Sequence, residues 1–159
     1  MRLSMNELRE ATPEDFERIL ALEKISFSTE DGRFSRRQLH DLLYNPRAFW
    51  LLGADGGAVA CWLKAGNRHK HWARLYSLAV HPDLRGEGWA ERLIRAGFVW
   101  MKRNRLNVCR AEVREDNHAA RRLYARLGFE EIAVLKNYYG QKRDGVRLIK
   151  KLQSHRHKN

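Results

Sequence analysis

Apolar residues recur along this chain in two rhythms, and the order in which the rhythms alternate predicts its elements. A short strand is expected near Asn6 to Arg9. Thr12 then reads as a helix cap, with Pro13 at the first helical position and Glu14 and Asp15 in the first turn, and Phe16, Ile19, Leu20 and Leu22 carry that helix toward Ser26. A loop containing Asp31-Gly32 follows. Ser35, with Gln38 three residues later, forms a capping box that opens a second helix to about Tyr44. From Ala48 to Leu52 and from Ala58 to Lys64 the pattern is that of two strands joined through Asp55-Gly56-Gly57, a hairpin signal. A further strand, Trp72 to Val80, stops at His81-Pro82, because proline cannot continue a central ladder.

The clearest helix starts near Gly88, with Ala90, Leu93, Ile94, Gly97, Phe98 and Met101 on one stripe at three- and four-residue steps. Alternation returns from Asn107 to Val113. Asn117 caps a last helix with Ala120, Leu123, Tyr124 and Leu127 on its inner face, and Gly128 ends it. Strands near Phe129 to Tyr138 and Val146 to Leu152 complete the series. The order β-α-α-β-β-β-α-β-α-β-β predicts an α/β fold: a mixed, mostly antiparallel sheet of six to seven strands with helices on both faces.

No Pro-, Gly- or Ser-rich linker interrupts the 159 residues, so one domain over residues 1–153 with a basic tail at 154–159 is expected. Hydrophobic residues at 43% and charged residues at 31% are those of a folded chain. The 31 basic against 19 acidic side chains give a net charge of +12, which attracts phosphorylated cofactors, acidic peptides or nucleic acid. No interleaved aromatic and basic motif singles out RNA, which stays an unsupported alternative. With no long apolar run and a polar Met1 to Glu10, no membrane span or secretory core is expected and the reading is cytoplasmic. Cys61 and Cys109 sit apart in apolar segments and read as reduced core thiols. His69, His71, His155 and His157 lie in polar basic stretches, with no carboxylate or cysteine to complete a ligand set, so no metal is expected.

The chemistry points to the turn Arg85-Gly86-Glu87-Gly88-Trp89-Ala90 between a strand and a helix. Glycine lets the backbone approach a ligand, the first amides of a helix lack internal acceptors, and the helix dipole favours negative charge. Arg85 adds a charge-assisted donor.

Arg85-x-x-Gly88-x-Ala90, following Leu78-Ala79-Val80-His81-Pro82, resembles the acetyl-CoA signature of the GCN5-related N-acetyltransferases. The stretch Asn117 to Phe129 resembles that family's later motif. Ala111-Glu112-Val113-Arg114, followed by Asn117, Leu123-Tyr124 and Asn137-Tyr138-Tyr139, is most similar to the RimI-type branch, which acetylates protein N-terminal amines. The resemblance implies transfer of acetyl from acetyl-CoA to a primary amine by direct attack. It also implies that the amides of Arg85, Gly86, Glu87, Gly88, Trp89 and Ala90 hold the pyrophosphate and that the main chain of Leu78 and Val80 pairs with the pantetheine arm. Asn117 then helps bind the cofactor and Tyr124 protonates the departing thiolate. The thioester is expected between the strand of Val80 and that of Glu112, with Phe27, Tyr138 and Tyr139 beside the acceptor.

An amine attacks only when neutral. At pH 7 an N-terminal amine of pKa ~8 is about a tenth neutral, whereas a lysine of pKa ~10.4 is almost wholly protonated. In the strand Asn107 to Val113, Val108, Arg110 and Glu112 share one face, so Glu112 is the candidate base, its other reading being a cross-strand ion pair. The loop Phe27-Ser28-Thr29-Glu30-Asp31-Gly32-Arg33-Phe34 lacks the Pro-Trp pair usual in that branch, and Gln141-Lys142-Arg143 replaces acidic residues, which favours an acidic or phosphate-bearing partner. The acceptor therefore stays open between a protein or peptide N-terminus, ribosome-associated or not, a lysine and a small amine. A CoA-binding module without turnover and an RNA- or ribosome-binding module are the alternatives of another class. A monomer or a homodimer fits equally.

Overall fold

The computed structural model describes residues 7–26, 34–65 and 69–153. The loop 27–33, with Phe27 and Asp31-Gly32, and the basic tail 154–159, with His155 and His157, lie outside the described residues.

Strand β1 is Arg9–Glu10, paired with β2 through Arg9↔Leu52 and Glu10↔Leu51, so it falls at the end of the span expected for it. Pro13–Asp15 forms a 3-10 turn that runs into α1, Phe16–Ser26. Asp15 fixes this corner. Its Oδ2 accepts the Thr12 N–H at 2.8 Å, and Arg9 donates to both carboxylate oxygens at 2.9 and 2.7 Å. Those bonds, first from Arg9, hold the Asp15 carboxyl below its ordinary range. Helix α2, Arg36–Leu43, opens on the expected box: Ser35 Oγ accepts from the Gln38 N–H at 3.1 Å and Gln38 Oε1 accepts from the Ser35 N–H at 2.9 Å.

Strands β2, Ala48–Gly53, and β3, Ala58–Lys64, pair antiparallel from Ala48↔Leu63 to Gly53↔Ala58. The connection Ala54–Gly56 places Ala54, Asp55 and Gly56 at positive φ, with Gly56 at 94°. Strand β4 is Trp72–Val80 and α3 is Trp89–Arg103. There follow β5, Val108–Arg114, α4, His118–Arg126, β6, Glu130–Leu135, and β7, Gly145–Lys151. Gly128, at φ 92°, ends α4 as expected.

Among the described residues, seven strands run in the order β1-β2-β3-β4-β5-β7-β6, an α/β arrangement whose pairings are mostly antiparallel. Strand β6 is shorter than its apolar pattern suggested. After Leu135 the Tyr138 N–H turns back to the Leu135 carbonyl, Asn137 takes φ 55°, and its N–H donates to Asp144 Oδ1 at 2.9 Å. Tyr138 and Tyr139 therefore belong to the turn between β6 and β7.

Two compact units divide the described residues, and each draws on two separated stretches of sequence. The first takes Met1–Leu63 and Leu75–Arg95. In it, Ile19, Leu20, Leu22, Leu39 and Leu42 of α1 and α2 pack on Trp50, Leu52, Val59, Cys61 and Ala79. The second takes Lys64–Arg74 and Ala96–Asn159, with Phe98, Met101, Cys109, Ala111, Tyr124, Phe129 and Leu148 buried. Cys61 and Cys109 are both buried and outside any disulfide, one in each unit.

Candidate functional site

In the first unit, the approach to α3 is tied to the hairpin beneath it. The His81 N–H donates to the Gly57 carbonyl at 2.8 Å, and Leu84 lies where a side chain on Gly57 would have to go. Beyond the turn Pro82–Leu84, Arg85 is extended at φ −66° and ψ 148°, and Gly86 and Gly88 take φ 81° and 84°. A β-carbon at either glycine would meet no heavy atom within 4 Å. Packing therefore does not demand glycine there, but backbone conformation does. The Arg92 N–H closes onto the Gly88 carbonyl at 3.1 Å, so the amides just ahead of it are helix-start donors without an intrahelical acceptor.

The residues of this turn divide their work. Arg85, Gly86, Glu87 and Gly88 are exposed, whereas the Trp89 ring is buried and covered by Arg92, whose guanidinium carbon sits 4.4 Å from its centroid. The Trp89 side chain thus belongs to the core. Ala90 is half-buried in the first turn of α3. Leu78 and Val80 are half-buried on β4, alternating with buried Ser77 and Ala79. The parallel β4–β5 ladder joins Trp72–Arg74 to Val108–Arg110 and, among the described residues, goes no further, so Leu78 and Val80 lie on the stretch past its end.

In the second unit, β5 alternates as its sequence predicted, with Arg110, Glu112 and Arg114 half-buried and Cys109, Ala111 and Val113 buried. Glu112 meets three guanidinium groups. Arg110 Nε and Arg147 Nε donate to Oε1 at 2.8 and 3.1 Å, and Arg74 Nε forms an ion pair with Oε2 at 2.8 Å. Arg147 faces Glu112 across the β5–β7 ladder, and Arg74 pairs with Arg110 across β4–β5. The Glu112 side chain is only 1% exposed. The cross-strand ion pair is therefore present, and on a larger scale than one partner.

Tyr124 is buried on α4, edge-on to Phe129 with centroids 5.1 Å apart. Burial, assisted by Cys109, Tyr139 and Glu112, pushes its hydroxyl well above the usual phenol range, so it stays protonated at every physiological pH. Tyr139 is pushed up to about 12, again mainly by burial, with Tyr138 and Glu112 adding to it. Tyr138 is 41% exposed, and its hydroxyl oxygen accepts from Arg74 Nη2 at 3.1 Å. Asn117 caps α4 by accepting the Ala120 N–H on Oδ1 at 3.1 Å, so any part it has in holding a cofactor falls to its amide N–H groups. Lys142 and Arg143 border a shallow hollow of mixed charge with Arg114, Asp116, Arg121 and Asp144.

Two features escaped the sequence. Arg74 and Arg147 reach Glu112, beside Arg110 of its own strand, only through strand register, which a single sequence does not display. Glu23, 2% exposed on α1, accepts the Ser77 hydroxyl at 2.7 Å, and burial raises its carboxyl to about 7. It sits three and four residues after Leu20 and Ile19, on the apolar stripe, which was the available signal.

A family model described as Acetyltransferase (GNAT) family matches residues 6–129. A Bacillus subtilis protein assigned provisionally as a ribosomal protein bS18-alanine N-acetyltransferase is 29% identical over 133 residues, covering 79% of this chain and 82% of that one. A ribosomal protein bS18-alanine N-acetyltransferase of Haemophilus ducreyi is 36% identical over 67 residues, 42% of this chain and 46% of its own length. Among solved structures, the ribosomal-protein-S18-alanine N-acetyltransferase of Escherichia coli superposes with a TM-score of 0.81 at 20% identity, covering 97% of this chain and 98% of that one. The matched span takes in the glycine turn, β5 and α4, and on that evidence this chain belongs to the GNAT acetyltransferase family.

Proposed function

We propose that this acetyltransferase moves an acetyl group from acetyl-CoA directly to a peptide or protein N-terminal amine. The observation that carries the donor half is the pair of positive-φ glycines, clear of any neighbour, directly ahead of α3. That cradle fits a diphosphate: the amides from Gly86 to Ala90 hold it, the dipole of a fifteen-residue helix favours its charge, and Arg85 adds a charge-assisted bond. The main chain of Leu78 and Val80, past the end of the β4–β5 ladder, holds the pantetheine arm as a strand would. The bound thioester supplies the activated acetyl group.

Tyr124 gives its hydroxyl hydrogen bond to the sulfur as that atom takes up charge. Its proton is held more tightly than a thiol of pKa about 8.5 holds its own, so the residue acts as a donor that stabilises the thiolate more than as a strong acid. In the balanced reaction the amine loses one proton and the sulfur gains one. Glu112 is 1% exposed and engaged by three guanidiniums, so it receives the amine proton through water and gives limited help. Limited help suits an N-terminal amine, about a tenth neutral at pH 7, better than a lysine. The bS18-alanine acetyltransferases among the relatives support the same acceptor class.

Incubating the protein with acetyl-CoA and a mixed library of peptides and small amines, then locating each added acetyl by mass spectrometry, tests the acceptor; labelling confined to lysine side chains or small amines refutes it. Arg85→Glu is expected to raise the acetyl-CoA KM by about 10- to 100-fold, the equivalent of one charge-assisted hydrogen bond, without changing thermal stability, because Arg85 is exposed. An unaltered KM in steady-state kinetics would remove the cradle. Tyr124→Phe is expected to lower kcat by about 10- to 100-fold with a smaller effect on acetyl-CoA affinity by calorimetry, and equal turnover would remove the donor role.

A further inference from the structure

The site around Glu112 holds more positive than negative charge. Arg74, Arg110 and Arg147 surround one carboxylate, and all three side chains remain 29% exposed. The hydrogen bonds that Glu112 accepts from Arg110 and Arg147 both come from Nε. The cluster is fixed in place. Arg110 lies over the Trp72 ring with its guanidinium carbon 4.7 Å from the centroid, Arg74 donates to the Tyr138 hydroxyl, and the Glu112 side chain is 1% exposed. Guanidiniums held in this way have already lost the rotamer freedom that binding an anion would otherwise cost, and their forked N–H geometry matches a carboxylate.

We propose that Arg74, Arg110 and Arg147, held by Glu112, bind a carboxylate on the acceptor, so that the enzyme prefers peptides with Asp or Glu close behind the amine. This rests on the peptide-acceptor reading above and on Tyr138, the exposed aromatic expected beside the acceptor, being bonded to Arg74. Charge complementarity selects the occupant: the local excess is positive and so is the whole chain, at +12. Partial burial favours a compact carboxylate over a nucleic-acid backbone, which is bound along an exposed track of cations and stacking rings. Here Trp72 is already covered by Arg110.

The test pairs peptides identical except for Glu or Gln at the second and third positions, assayed with saturating acetyl-CoA. The Glu member is expected to show a kcat/KM about 10- to 100-fold higher, and Arg147→Gln to cut that ratio about tenfold, with Arg147→Lys between the two. Should Arg147→Gln fail to fold, Arg110→Gln supplies the same comparison. Equal rates within a pair, or a ratio unchanged in the variants, overturn the proposal. Calorimetry of the protein–CoA complex with Nα-acetylated forms of the same peptides separates it from the reading on which it rests. Preferential binding of the acidic form without turnover of any peptide upholds the anion site and refutes the acceptor class. Equal binding, no binding, or displacement of the acidic peptide by an RNA oligonucleotide at physiological salt overturns the anion site.

Discussion

Glu112→Ala is expected to destabilise the fold by about 3 kcal/mol, measured by urea unfolding at neutral pH, whatever it does to turnover. The carboxylate is 1% exposed and is the shared partner of Arg74, Arg110 and Arg147, so its removal leaves three guanidiniums repelling one another around a void. Breaking a buried ion pair from one side costs roughly 3–5 kcal/mol. The low end applies because each arginine keeps 29% of its side-chain surface exposed and can recover hydration. Glu112→Gln preserves shape and one acceptor oxygen and should lose less, roughly 1.5–3 kcal/mol, as a hydrogen bond to a charged group would. If Glu112→Ala lost turnover with unchanged stability, Glu112 would be a proton acceptor alone, with ion pairs of no structural weight.

Glu23→Gln is expected to act in the opposite direction and only above acidic pH. Burial on the inner side of α1 raises the Glu23 carboxyl from its ordinary 4.5 to about 7, partly offset by the Ser77 hydroxyl. A carboxyl with a raised folded-state pKa binds its proton more tightly in the native state. The native state is therefore favoured below pH 4.5, loses stability as pH climbs from 4.5 to about 7, and holds the full penalty above that. The loss integrates to about 3 kcal/mol at 1.36 kcal/mol per pKa unit. Glutamine cannot ionise and can still accept from Ser77. The variant should match the parent near pH 4.5 and exceed its unfolding free energy by up to about 3 kcal/mol at pH 8. Parallel stability curves for the two proteins across that range would show that Glu23 reaches water more readily than its burial indicates.

Much of the fold was legible because local chemistry and tertiary packing agree. The Ser35–Gln38 box, the Asn117 cap, the Gly128 stop and the stripe of α3 each specify a boundary from within a few residues, and each is observed. Strand β6 was read too long because only two polar residues, Lys136 and Asn137, separate the apolar run Ala133, Val134 and Leu135 from Tyr138. What ends it is the left-handed backbone at Asn137, held by Asp144 from the far side of the turn. Of the site, the positive-φ turn at Gly86 and Gly88 could be read as a string, since glycine itself marks that backbone conformation. The setting of Glu112 could not. Alternation placed Arg110 beside it, but Arg74 and Arg147 arrive from strands 38 and 35 positions away in the sequence, by registers that only pairing defines.

The buried ring of Trp89 bears on how quickly a donor is captured. Its edge lies where a methyl group on Gly53 would stand, 2.9 Å from that position, with Leu8 pressing on the same point. A turn pinned by an indole to the end of β2 has little room to wander, so its backbone is set before any ligand arrives. Capture should then proceed as a single encounter with a rate set by diffusion and steering charge, without a lag for segment closure, and stopped-flow traces should remain first-order in donor at every accessible concentration.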